Sequence, residues 1–277
     1  MSTLRKNPGN RRYSFVVLAL LLLASVGAVH ALATNSHPTL PPSPLYLPLV
    51  AGNPAPVCPP TSERIYELIP VDGQPADHPD ELHGDLNLAL RGHMPVSATL
   101  GLIDINGHTD GDAPQLAGIF ADGRTPAFTS AHRVYDWDWT CGVDGCVSPH
   151  LTESEVSLLG LATAVTETLS FASRKDEIYA GDYKVLVLYA AENRLTLAYT
   201  RHDTVAPGYA LHLESLCVDA NLLALYRQAN TDGRGNLPAL RNGDVLGTAR
   251  SAEVLVAVRD RGTFMDPRSR KDWWRGR

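Results

Sequence analysis

Apolar and polar residues are distributed along the 277-residue chain in three ways. Ser14 to Ala33, SFVVLALLLLASVGAVHALA, is one long apolar run behind the basic leader MSTLRKNPGNRRY. Thr34 to Thr61 carries nine prolines, a density that blocks helices and central strands and favours extended polyproline II. Beyond it, short apolar runs are punctuated by turn residues. Tyr183–Ala190 and Arg194–Thr200 are rich in β-branched, aromatic and leucine side chains and are separated by Ala191-Glu192-Asn193, which predicts an antiparallel hairpin. Glu253–Arg259 predicts a further strand, followed by the turn Asp260-Arg261-Gly262. Asp219 is placed to cap ANLLALYRQAN, where Leu222, Leu223, Leu225 and Tyr226 make an apolar face and Gly233 stops the helix. Thr152 to Ser170 contains a second, weaker helical pattern. The fold expected is mainly β (α+β), antiparallel, with one or two helices.

The long apolar run reads as an export signal, because small residues occupy both positions a signal peptidase inspects, Ala31 and Ala33. Arg5, Lys6, Arg11 and Arg12 set its orientation by positive charge kept on the inner side. Residues 1–33 are therefore expected to be a signal peptide or an N-terminal anchor, with Thr34 as the mature terminus after cleavage. Residues 34–61 are a spacer, 62–272 an extracytoplasmic β-rich domain, and 273–277 a tail. The protein is expected to be secreted or anchored to the outer side of the cytoplasmic membrane, touching membrane only through the N-terminal segment.

Removing residues 1–33 takes away four basic residues and no acidic ones, leaving 20 basic against 30 acidic. That balance argues against nucleic acid as a partner, since phosphate binding needs a concentrated basic surface. The one basic cluster runs from Arg268 to Arg277 and reads as a solvated end. Cys58, Cys141, Cys146 and Cys217 form an even set, which in an exported chain predicts disulfides. Cys141 and Cys146 flank a Gly-Val-Asp-Gly turn suited to a short local bridge, which would leave Cys58 and Cys217 to pair; four cysteines permit three pairings.

Three segments carry candidate chemistry. Asp104 to Asp112 alternates oxygen-bearing side chains as a calcium loop does, but His108 replaces an expected oxygen ligand and no closing glutamate follows, so a polar turn is expected. Tyr135-Asp136-Trp137-Asp138-Trp139, as a strand, would put Tyr135, Trp137 and Trp139 on one face and two acids on the other, an arrangement found in core packing and in sugar binding. Asp77, Asp80, Glu81 and Asp85 crowd one segment with His78 and His83, as solvated loops do.

From Lys184 to Pro267 the chain resembles the lysostaphin-type zinc endopeptidases of bacterial cell walls. The resemblance rests on Tyr199-Thr200-Arg201, on Gly243-Asp244-Val245-Leu246-Gly247, on the strand from Val254 into Gly262 and Asp266-Pro267, and upstream on His83-Gly84-Asp85-Leu86-Asn87. It implies a lysostaphin-like part over about 166–267 and a zinc with three protein ligands and an open position for water. The sequence departs from the family at the steps that matter. Asn87 stands where an anionic ligand belongs, Val254–Val258 holds no histidine, and Arg201 takes the place of a histidine. A rival alignment through Gly208–Glu214 sets Ala210 at the catalytic histidine and keeps His212 as a ligand, so that His212 and Glu214, two apart on one strand face, could meet His83 and Asp85 around a metal.

These observations predict no catalytic residue and no resident cofactor, with zinc as the metal of the rival alignment. The reading they favour is an exported cell-envelope protein with a non-catalytic, peptidase-like domain that binds wall peptide or glycan. A zinc-dependent wall endopeptidase is the enzymatic alternative, and a glycan-binding or adhesion module using Tyr135, Trp137 and Trp139 is the third.

Overall fold

The structure is a computed structural model that describes residues 57–77, 79–105 and 107–275. The apolar run and the spacer up to residue 56 lie outside these residues, as do His78 and Asn106. In chain order the strands are β1 (Glu67–Pro70), β2 (His93–Pro95), β3 (Phe128–Asp138), β4 (Cys146–Leu151), β5 (Leu158–Ala162), β6 (Thr168–Leu169), β7 (Tyr183–Ala191), β8 (Arg194–Ala198), β9 (Tyr209–Glu214) and β10 (Leu216–Val218). They continue as β11 (Asn236–Arg241), β12 (Gly247–Ala249), β13 (Glu253–Asp260) and β14 (Thr263–Met265). Helix α1 (Ala220–Thr231) lies between β10 and β11, and the short α2 (Arg270–Trp273) ends the described chain.

The fold is mainly antiparallel β. The main sheet runs β1-β11-β7-β8-β9-β13-β5-β3-β2, with β14 added to β13 and β4 to β3, and a small sheet runs β10-β12-β6. Strand alternation sorts the central strands into two faces. Leu195, Leu197, Leu211, Leu213, Val254, Val256 and Val258 point into the large core. The residues between them, Arg194, Thr196, His212, Glu214, Leu255, Ala257 and Arg259, point the other way, where a small apolar cluster of Leu88, Val134, Leu158, Ala257 and Phe264 sits.

The predicted hairpin is present as β7 and β8, and the predicted strand at Glu253 as β13. The predicted helix is α1, whose N-terminal amides at Asn221 and Leu222 donate to the Asp219 carboxylate, a cap that contributes about 1 kcal/mol. The second helical pattern is not a helix: Thr152–Ser170 holds β5 and β6. Its run Leu158-Leu-Gly-Leu is buried on both sides, so an apolar stretch without polar gaps was compatible with either state. Gly160 settles it, because a Cβ there would strike the Glu253 carboxylate and the Ser130 hydroxyl of neighbouring strands.

Two segments expected in solvent place key residues in the interior. Asp80 accepts hydrogen bonds from the Tyr226 hydroxyl and the Asn230 amide, and that network reaches Arg234, which is paired with Asp203 at 2.6 Å. Part of the basic tail is packed as well: Arg268, 1% exposed, pairs with Asp266 and Glu155, each at 2.7 Å, and Trp273 and Trp274 join the core, while Arg270 stays exposed. Full pairing is what allows so polar a group inside. Both disulfides form, Cys58–Cys217 and Cys141–Cys146. No helix among the described residues is long and apolar enough to cross a membrane.

Candidate functional site

The segment from His83 to Gly92 lies over the polar face of the sheet, and Asp85 is its centre. Asp85 Oδ1 accepts from Arg91 Nη2 at 2.5 Å and from Arg259 Nη1 at 2.7 Å. Arg91 also donates to the carbonyls of Gly84 and Tyr135, and Arg259 to that of Gly262. Burial pushes the Asp85 carboxyl up, but the two guanidiniums outweigh it and hold its pKa at about 2. Phe264 is wedged among these groups, 4.6 Å from Arg259, 5.4 Å from Arg91, and stacked on the His212 ring at 5.9 Å, so cation–π attraction adds to its burial.

His212 is fully buried. Thr196 Oγ1 gives its hydrogen to the Leu86 carbonyl, so it accepts from His212 Nδ1 at 2.9 Å and leaves Nε2 as an acceptor with no partner. Burial, then the charges of Arg259 and Arg91, holds its pKa well below the ordinary value, so the ring is neutral.

The four residues of the expected metal set are not gathered as ligands. His83 accepts the Asp85 amide at Nδ1 and packs edge-on against Trp139. Glu214 pairs with Arg194 at 3.2 Å. His212 and Glu214 do share a strand face, facing Ala257 and Leu255 respectively. The Nε2 lone pair of His212 is of the kind a metal uses, yet the carboxylate that would neutralise the ion is already held by two fixed cations that repel it. Among the described residues no three histidine, cysteine or acidic side chains converge to hold a metal ion, and the residues present do not fit zinc. Asn87 is occupied too, accepting from Arg194 Nη1 and donating to the Glu81 carbonyl. Arg201 pairs with Asp72. In the segment from Asp104 to Asp112, expected as a polar turn, Asp110 accepts from the Tyr209 hydroxyl and the Asp112 amide, which is turn chemistry.

The aromatic segment differs from a simple alternation. Trp139 lies beyond the end of β3, and the pairing of β3 with β4 shifts register between Tyr135 and Trp137. Such an irregularity re-aims side chains, and Asp136 and Trp137 both line one cleft with Arg91, Arg259, Glu153 and Thr263. That cleft encloses about 440 Å³ between the β3–β4 and β13–β14 hairpins. The Trp137 indole lies on the backbone at Gly84, where a Cβ would approach to 2.3 Å, and Trp139 stands beside it, 6.1 Å between ring centroids and 39% exposed. Tyr135 is half-buried. The disulfide Cys141–Cys146 closes the hairpin tip behind Trp137.

Arg91, Arg259 and Phe264 are the residues that sequence reasoning missed. The partner of Arg259 is 174 positions away, and no local pattern carries that pairing. The one available signal was alternation in β13, which puts Arg259 on the face of Glu253 rather than with the valines. No family model matches the chain, and neither a curated protein nor a solved structure matches it.

Proposed function

We propose that this is an exported cell-envelope protein whose domain, lysostaphin-like in its C-terminal part, is non-catalytic and binds wall polymer in the cleft between the β3–β4 and β13–β14 hairpins. The observation that carries the reading is the clamp on Asp85, a carboxylate the resemblance assigns to a metal, which Arg91 and Arg259 hold instead. The clamp replaces a Lewis acid with fixed hydrogen-bond donors, which bind polar ligands and generate no hydroxide. The cleft mixes two guanidiniums with the carboxylates of Asp136 and Glu153, the hydroxyl of Thr263 and the Trp137 indole. This lining of paired donors and acceptors beside an aromatic edge suits the hydroxyls of a glycan better than a highly charged ligand. Two disulfides accord with an oxidising compartment.

The test is co-sedimentation of the purified, exported protein with isolated peptidoglycan sacculi. Wild type should pellet with them. Trp137→Ala should lose roughly tenfold or more in affinity, and the exposed rim change Glu153→Lys, which leaves the core untouched, should weaken binding as well. Binding unchanged in both variants would remove the cleft from the account, and release of soluble wall fragments would replace binding with catalysis.

A further inference from the structure

On the far side of the His83–Gly92 segment a second cleft, of about 430 Å³, opens onto the same sheet face. Its floor is set by register. Arg194 of β8 faces Glu214 of β9, and Glu214 faces Leu255 of β13. Leu88 and Leu158 supply apolar walls, and His93 stands at the rim.

The two charged groups here are incompletely satisfied. Glu214 is mostly buried, its side chain 16% exposed, and its charged partner is Arg194 at 3.2 Å. Among the described residues its carboxyl accepts no hydrogen bond of good geometry. Burial, with Arg194 pulling the other way, raises its pKa to about 7. Arg194 spends Nη1 on Asn87, and its Nε lies 3.2 Å from Glu214 Oε2 without the alignment of a hydrogen bond. Natural interiors rarely leave an ion pair without a well-aligned hydrogen bond, and a ligand that bonded to both the carboxylate and the guanidinium where they line the cleft would be favoured because the pair is already largely dehydrated.

The complement of an acceptor and a donor side by side, with aliphatic walls next to them, is a secondary amide carrying a small alkyl group. Its N–H meets the carboxylate, its C=O meets the guanidinium, and the alkyl group rests on Leu88, Leu158 and Leu255. We propose that this second cleft holds the acetamido group of an N-acetylated amino sugar. The proposal rests on the reading that the protein binds wall polymer, and it names the part of the polymer recognised. A peptide backbone offers the same amide, so the sources are separated by experiment.

The full exported chain is titrated with tri-N-acetylchitotriose, with cellotriose, which has a hydroxyl in place of each acetamido group, and with N-acetylalanine methylamide. The acetylated trisaccharide should bind roughly tenfold or more tightly than cellotriose, and the peptide analogue should bind no better than cellotriose. Glu214→Leu should abolish the preference, whereas Glu214→Gln, which keeps a carbonyl acceptor, should retain part of it. Equal binding of the two trisaccharides would overturn the proposal, as would tighter binding of the peptide analogue. Sacculus co-sedimentation run in parallel separates the two levels: sacculi bound without any trisaccharide preference sink the acetamido site alone, while a trisaccharide preference without sacculus binding sustains the site and sinks the wall reading.

Discussion

On one face of β8, β9 and β13 lie leucines and valines with almost no exposure, and on the other, one residue along each strand, lie Arg194, His212, Glu214 and Arg259. The first face is stabilised by area: each buried leucine contributes about 1.5–3 kcal/mol whatever the pH. The second face is stabilised by pairing. Arg259 and Arg91 are tolerated there because Asp85 and backbone carbonyls take their hydrogens, and where pairing is incomplete, at Glu214 and Arg194, a cleft opens. A sheet can thus carry a packed core on one face and polar clefts on the other, because its period of two separates the duties residue by residue.

The two disulfides should divide along the same line, and the largest expected effect comes from the one outside the site. Cys58–Cys217 spans 159 residues, so Cys58→Ser with Cys217→Ser should cost about 5 kcal/mol in urea unfolding by loop entropy, while sacculus binding by the folded fraction is kept. A cost below about 1 kcal/mol would mean that the core face holds the chain end without it.

Next is Asp85→Ala, which strands two buried cations and should cost about 3–5 kcal/mol. For wild type the sign with pH follows from the depressed carboxyl. The stability it contributes is present above pH 3.8 and is lost as pH falls toward about 2. Leu213→Ala on the opposite face should cost a comparable amount, about 2–5 kcal/mol, with no such acid dependence. Equal acid sensitivity of the two losses would erase the contrast between the faces.

Glu214 behaves in the opposite sense. Its raised pKa means that the folded state binds the proton more tightly, so the associated stability is full below pH 4.5 and fades as pH rises through about 7. Glu214→Gln removes that loss. Relative to wild type it should gain on the order of 3 kcal/mol between acid and mildly alkaline solution, read from urea midpoints at several pH values. A gap that stays constant with pH would show that the carboxyl titrates normally.

The smallest effect belongs to Cys141–Cys146, which closes a loop of sequence separation 5. Cys141→Ser with Cys146→Ser should cost about 2 kcal/mol, yet it should weaken sacculus binding, because the hairpin tip backs Trp137. Unaltered binding would detach the hairpin from the cleft.

Much of the core face was legible in the sequence and little of the polar face was. Strand composition marked Tyr183–Ala190 and Glu253–Arg259, and Asp219 marked the start of α1, because those signals are local. Leu158-Leu-Gly-Leu misled because a short apolar run lacks a period. Arg268 and Asp80 carry no local sign of burial, since composition cannot register partners that arrive from elsewhere in the chain. The site failed for the same reason: His83, Asp85, His212 and Glu214 were identified as chemically capable residues, but what each does is decided by Arg91, Arg194 and Arg259, whose approach is set by tertiary register.

On the proposed reading, the clamped Asp85 belongs to a binding face that works without a metal. Sacculus co-sedimentation of the exported protein before and after exhaustive treatment with a chelator, with zinc counted by elemental analysis on the same samples, tests it most directly. Binding should be the same in both samples, with no stoichiometric zinc in either. Binding lost on chelation and restored by one zinc per chain would contradict it, and would return His212 and Asp85 to the role of metal ligands.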